Sequence, residues 1–306
     1  LPQEVNLGYT QLILEAYGNL GRLTNTTYGH SFQIQEFRRP EFEVKARTET
    51  PGPYFAGDSA VVAVEAKYYA GDPLPNAAVN WLVTTTPSQY SPPNWPDFTF
   101  GEWQPIWWWR YEENPYERGE SQTFTGTTDA SGIHYLKLDF EGGKTRPYSV
   151  QAEATVMDVN RQAWSSATNL LVHPADLYIG LRSDRYFVPR GTPLKIDLIL
   201  TDLDGNPVSD RPIQVQAARM EWKLRNGEWQ EVETDVQTCT IGSQAEPVSC
   251  VFETPIGGSY RISAVVSDGQ GRPNQSRLTR WVSGGERPAS RKIEQEDLTL
   301  IPNQEN

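Results

Sequence analysis

Ala60-Val61-Val62-Ala63-Val64-Glu65-Ala66-Lys67-Tyr68-Tyr69, then Gly71-Asp72-Pro73-Leu74-Pro75-Asn76, then Ala78-Val79-Asn80-Trp81-Leu82-Val83 read as strand, turn and strand. β-Branched and aromatic side chains suit a pleated surface, while Gly, Asp, Pro and Asn supply the backbone angles of a turn. Downstream, His134-Tyr135-Leu136-Lys137-Leu138-Asp139-Phe140 and Tyr148-Ser149-Val150-Gln151-Ala152-Glu153-Ala154 alternate in the same way. Long helical periodicity is almost absent. Many short strands separated by turn residues predict an all-β fold, a sandwich or a barrel.

The same order of features occurs twice. Tyr54-Phe55 with Gly57 precedes one long strand, and Tyr186-Phe187 with Gly191 precedes another. Each is followed by a Pro/Asn turn, Pro75-Asn76-Ala77 and Asn206-Pro207-Val208, and by a further strand. Pro147-Tyr148-Ser149-Val150-Gln151-Ala152 matches Ser259-Tyr260-Arg261-Ile262-Ser263-Ala264. The period, about 110–130 residues, is near the size of one sandwich domain. The expected division is therefore one domain over 40–173 and a second over 174–284. His173-Pro174 fits the junction, because proline cannot continue a central ladder. Residues 1–39 read as the end of a preceding domain, and 285–306 as a linker and the start of a following one. Leu1-Pro2-Gln3-Glu4 reads as internal, so a signal sequence is expected upstream in a longer parent.

The chain has 306 residues, 37% of them hydrophobic, with 10 Trp, 14 Tyr and 10 Phe to fill cores. Its net charge of −12 repels phosphate and argues against nucleic acid and anionic membrane surfaces as partners. No apolar run approaches the ~18 residues of a membrane-spanning helix.

Cys239 and Cys250 are the only cysteines and lie in strand-like text around Ser243-Gln244-Ala245-Glu246-Pro247. A disulfide across a hairpin is the first reading and two reduced core cysteines the second. A disulfide would place the chain in an oxidising compartment, periplasm or cell exterior.

Few residues suggest chemistry. His30, His134 and His173 are far apart and lack neighbours at metal-ligand spacing. Asp202-Leu203-Asp204-Gly205-Asn206 resembles the opening of a calcium loop, but Ile213 occupies the position where a closing Glu is needed, so it reads as a hairpin turn. Glu112-Glu113 reads as a solvated pair, and Asn25-Thr26-Thr27 and Asn274-Gln275-Ser276 match only the short glycosylation pattern. No cofactor is expected. One stretch breaks the strand pattern. Residues 87–122 hold Pro87, Pro92, Pro93, Pro96, Pro105 and Pro115 with Trp95, Trp103, Trp107, Trp108 and Trp109. Long irregular insertions are often functional. On a strand Trp107 and Trp109 share a face opposite Trp108. Core packing with contact to a neighbouring domain, a protein interface at Trp103, Trp107, Trp108 and Trp109, and stacking on sugar rings all remain open.

His30-Ser31-Phe32-Gln33-Ile34-Gln35-Glu36-Phe37-Arg38-Arg39-Pro40-Glu41-Phe42-Glu43-Val44 resembles the segment joining two macroglobulin-like domains of alpha-2-macroglobulins. Tyr68 to Ala77 also resembles that family, as does Val172-His173-Pro174-Ala175-Asp176-Leu177-Tyr178-Ile179-Gly180-Leu181, which is similar to its bacterial branch in particular. The resemblance covers most of the chain and is weakest in the Trp/Pro insertion. It implies tandem seven-stranded antiparallel β-sandwiches, the third and fourth of the parent's array. It implies a non-catalytic scaffold in a protease inhibitor that cages its target, working with the other domains of the parent chain and, through it, with target proteases. The location implied is extracytoplasmic, with anchoring through a lipidated N-terminus outside this segment as one form. Neither Cys239 nor Cys250 precedes the Gly-Glu-Gln of the family's thioester, and no bait region is assignable. The alternative is a carbohydrate-binding or adhesion module built on the Trp cluster.

Overall fold

The computed structural model describes residues 8–18, 21–34, 41–102, 119–225 and 228–284. Strands β1 (Gly8–Gly18) and β2 (Gly21–Ile34) pair as an antiparallel hairpin. Next come β3 (Phe42–Thr48), β4 (Tyr54–Phe55), β5 (Ser59–Tyr68), β6 (Ala78–Pro87), β7 (Thr99–Phe100), β8 (Glu120–Thr127), β9 (Ile133–Asp139), β10 (Tyr148–Met157) and β11 (Ala163–His173). The last eight are β12 (Tyr178–Arg182), β13 (Phe187–Val188), β14 (Leu194–Thr201), β15 (Pro212–Arg225), β16 (Glu228–Gly242), β17 (Val248–Phe252), β18 (Gly258–Ser267) and β19 (Pro273–Val282). No described residue is helical.

The all-β sandwich expectation holds. A first sandwich packs the sheet β3-β5-β9 on the sheet β4-β11-β10-β6-β8. A second packs β17-β14-β12-β7 on β13-β19-β18-β15-β16. Apart from β7, the strand orders are identical. Each sandwich has seven principal strands plus a two-residue segment, β4 or β13, which pairs parallel with the last strand. β4 is the Tyr54-Phe55 pair of the sequence repeat, and β13 begins on Phe187, the second residue of the Tyr186-Phe187 pair. Each is followed by a glycine, Gly57 at φ 91° or Gly191 at φ 80°, where a side chain would be strained. The repeat itself carries a two-residue correction. Counted from the turns Asp158–Gln162 and Asp268–Arg272, the counterpart of Tyr260 is Val150, not Tyr148. A slip of two keeps every side chain on the same face, so alternation alone does not detect it.

Two separate cores form. Phe42, Val62, Val64, Trp81, Ala152, Ala154 and Leu170 meet in the first, and Ile179, Ile196, Leu198, Val215, Phe252, Tyr260 and Ile262 in the second. β18 and β19 alternate buried and half-buried residues, as strands with one covered face do. β12 and β14 break that rule, being buried on nearly every residue. Their outer face is covered too, by residues of the insertion that leaves the first sandwich after β6.

Cys239 and Cys250 form a disulfide with Cα atoms 6.2 Å apart. The hairpin reading needs correcting, because β16 and β17 lie in different sheets and the bridge joins one sheet to the other.

Candidate functional site at the junction of the two sandwiches

The segment between His173 and Tyr178 is short, and Ala175 and Leu177 within it are buried. Ala56 donates its N–H to the His173 carbonyl at 2.8 Å, tying β4 to the end of β11. His173 Nδ1 lies 2.8 Å from the Tyr178 hydroxyl. Tyr90 stands edge-on to His173 with centroids 4.8 Å apart and tilts against Tyr178 at 5.2 Å. Burial without a charged partner lowers the His173 pKa to about 4. Burial, and then the nearby Tyr90, pushes the Tyr178 phenol up. Both groups stay neutral through the ordinary pH range, as an apolar junction requires.

A second contact comes from the β18–β19 turn. Asp268 accepts bonds from the backbone of Gln270 and Arg272, from Arg272 Nε at 2.6 Å and from the Asp176 N–H at 3.3 Å. Burial opposes its charge, but these donors outweigh it and hold the carboxyl below its usual range. The Arg272 guanidinium lies 4.0 Å over the Phe55 ring of the first sandwich, an attractive cation–π geometry. Gln275 donates its N–H to Thr145 O at 3.0 Å.

The third contact is the described part of the Trp/Pro insertion. It crosses to the second sandwich and lies along the outer face of β12 and β14. Tyr90 donates its hydroxyl to Leu203 O at 2.6 Å, and Trp95 Nε1 donates to Gly205 O at 2.9 Å. Phe98 and Phe100 are buried with Tyr178 and Ile199, flanked by Trp95 and Leu203, and Arg182 lies 4.7 Å over the Phe98 ring. β7 pairs antiparallel with β12, Thr99 opposite Leu181 and Phe100 opposite Gly180. Gly101 then donates to Ser276 Oγ at 2.8 Å and accepts from the Arg277 N–H at 2.7 Å. Glu102 pairs with Arg146 and lies 3.9 Å from Arg277. Two glycines make room. A Cβ on Gly180 would lie 2.8 Å from the Phe100 ring, and one on Gly205 would lie 2.2 Å from Pro93 O.

Several residues singled out from the sequence sit elsewhere. Trp103, Trp107, Trp108, Trp109 and Glu112-Glu113 lie outside the described residues. The His30 side chain lies outside them too. His134 accepts a bond from Trp81 Nε1 at 3.1 Å and packs over Gly126. Asp202 accepts the N–H and the side-chain amide of Asn206, as a turn-closing Asp does. Asn274 is buried and accepts the Ile179 N–H, so the second glycosylation pattern is inaccessible in the fold. Among the described residues, no group of three or more His, Cys, Asp and Glu could hold a metal ion. An open depression of about 530 Å³ is lined by Thr50, Tyr54, Asp58, Lys137 and Asp139. Its two carboxylates are more than half exposed, and Asp139 pairs with Lys137. The sequence reading passed over Tyr90 and Phe98, and it met Gly180, Gly205 and Arg272 only within longer runs, because the roles of all five depend on contacts across the junction.

Comparisons with known proteins fit this architecture. No family profile matches the chain. Over 247 residues it is 28% identical to Circularly permutated Ras protein 2 of Dictyostelium discoideum, covering 70% of this chain and 6% of that protein. Over 187 residues it is 24% identical to alpha-2-macroglobulin of Thermotoga maritima, covering 60% of this chain and 10% of the relative. The chain thus spans a tenth or less of the curated relatives it matches. The native conformation of Escherichia coli alpha-2-macroglobulin aligns with a TM-score of 0.56 at 17% identity, over 87% of this chain and 18% of that one. A Salmonella alpha-2-macroglobulin mutant aligns at 0.55 and 16% identity, over 92% and 19%. By fold this chain is a tandem of macroglobulin-like β-sandwiches. The resemblance to bacterial alpha-2-macroglobulins read from its sequence is supported by both kinds of comparison.

Proposed function

We propose that this chain is a non-catalytic scaffold segment of an alpha-2-macroglobulin-type protease trap. The observation that carries the reading is the junction. Aromatic residues that could have lined a ligand site, Tyr90, Trp95, Phe98 and Phe100, are instead spent holding one sandwich against the next. Within this reading 40–173 and 174–284 are whole domains, 1–39 closes a preceding one and 285–306 leads to a following one. The partners are other domains of the parent chain and, through it, target proteases. The Cys239–Cys250 bridge favours an extracytoplasmic location. The described aromatic of the carbohydrate alternative, Trp95, has its N–H bonded and its ring against Phe98, which does not favour sugar stacking there.

Two assays test the proposal. Mixed in equimolar amounts with a serine endopeptidase, the isolated chain should leave cleavage of a protein substrate unchanged. Deleting the segment from the full-length parent should abolish trapping. Stoichiometric inhibition by the isolated chain, or undiminished trapping by the deleted parent, would remove the scaffold reading.

A further inference from the structure

The insertion is covalently rooted in the first sandwich, through β6 and β8, yet most of its described contacts are with the second. Ser88 N–H to Pro147 O, the Glu102–Arg146 pair and the edge of Tyr90 on His173 face the first sandwich. Leu203 O, Gly205 O, the β12 edge, Ser276, Arg277 and the Arg182–Phe98 stack all belong to the second. Strand addition to an exposed edge is a familiar way to bind an extended peptide. Main-chain bonds supply attachment and side-chain pockets supply selectivity. Both parts are present here: β7 on β12, and the apolar floor of Tyr178, Ile199 and Leu203 under Phe98, Phe100 and Trp95.

We propose that Tyr90–Glu102 is a clasp whose seating on the β12 edge decides whether the two sandwiches move as one body. Unseated, they remain joined by the short segment 174–177 and a few polar and cation–π contacts. Hydrogen bonds exchanged with water contribute little net stability, whereas buried aromatic area contributes much more. The clasp therefore outweighs the other contacts in fixing the orientation. It also fits only one of the two sandwiches. In the paired registers Lys45 on β3 is the counterpart of Gly180 on β12. A lysine there would occupy the space that Phe100 takes. The clasp goes beyond the scaffold reading and stands whether or not the parent traps proteases.

The test uses the full 306-residue chain with spin labels at Gln122→Cys in the first sandwich and Gln244→Cys in the second, both exposed. The parent background should give one narrow interdomain distance. Trp95→Ala, which acts on the clasp, and Gly180→Val, which acts on the groove, should each broaden that distribution. Each should also speed proteolysis within 88–102 by about a hundredfold, the first because a large aromatic is lost from a packed site and the second because the groove is overpacked. Trp95→Phe keeps an aromatic ring against Phe98 but loses part of the indole and the bond to Gly205 O; it should give an intermediate broadening, so the test survives if the larger changes prevent folding. Unchanged distances and cleavage in these variants, or a broad distribution in the parent background, would overturn the clasp.

Discussion

His173 ends β11 with 7% of its surface exposed, between Tyr90, Tyr178 and Phe55. Burial lowers its pKa to about 4 from an ordinary value of 6.5. In the window between those values the unfolded chain binds a proton that the folded chain refuses. Stability should thus fall as pH drops through it, saturating near pH 4 at a loss on the order of 3 kcal/mol. Urea denaturation at pH 7 and pH 4.5 checks this. His173→Gln, which can still meet the Tyr178 hydroxyl, should lose less stability over that interval than the parent. Equal pH dependence in both would assign the acid sensitivity to other groups. At the same scale, Gly180 and Gly205 matter for the side chain they lack. Nothing in either residue's local text announces this, since a strand glycine and a turn glycine are both ordinary.

At the scale of elements, the two sandwiches close the same open edge by different chemistry. From the pairing of β6 with β8 and β5 with β9, and of β15 with β16 and β14 with β17, Cys239 stands where Phe124 stands and Cys250 where Leu136 stands. The first sandwich is joined there by the Phe124 and Leu136 side chains beside the Trp81–His134 bond, the second by a covalent bridge. Reduction should therefore destabilise the second sandwich by about 2–3 kcal/mol, the loop-closure effect for a bridge this short, and leave the first unchanged. Hydrogen exchange with and without reductant reads this strand by strand. Faster exchange in β5 and β10 as well as β14 and β18 would show that the bridge supports both cores. The β15–β16 hairpin also extends past the end of β18, and Trp222, Leu224 and Trp229 are 40%, 59% and 42% exposed near its tip.

For the whole molecule, the junction predicts cooperativity between domains with separate cores. Interfaces between domains of one chain are commonly small enough to permit relative motion. Here a buried aromatic group and a shared sheet edge join the two bodies. Calorimetry on the intact chain should show the sandwiches unfolding in one transition, and Trp95→Ala should split it into two. Two resolved transitions in the unaltered chain would mean that the junction couples them weakly.

The sequence by itself determined the all-β class, the tandem repeat and the resemblance to macroglobulin domains. Alternation, turn residues and aromatic landmarks such as Tyr54-Phe55 and Tyr186-Phe187 are local signals, and the core follows from them by burying one face of each strand. It marked the Trp/Pro insertion as exceptional but left its destination open. That destination, the route of the disulfide between sheets and the two-residue offset in the repeat were decided only in the tertiary structure. Each depends on which distant strands lie side by side. Gly180 admits Phe100, Gly205 admits Pro93 and Leu203 O receives Tyr90 through contacts between residues roughly 80–113 positions apart. No local pattern encodes such contacts, because only packing of the finished sandwiches brings the partners together.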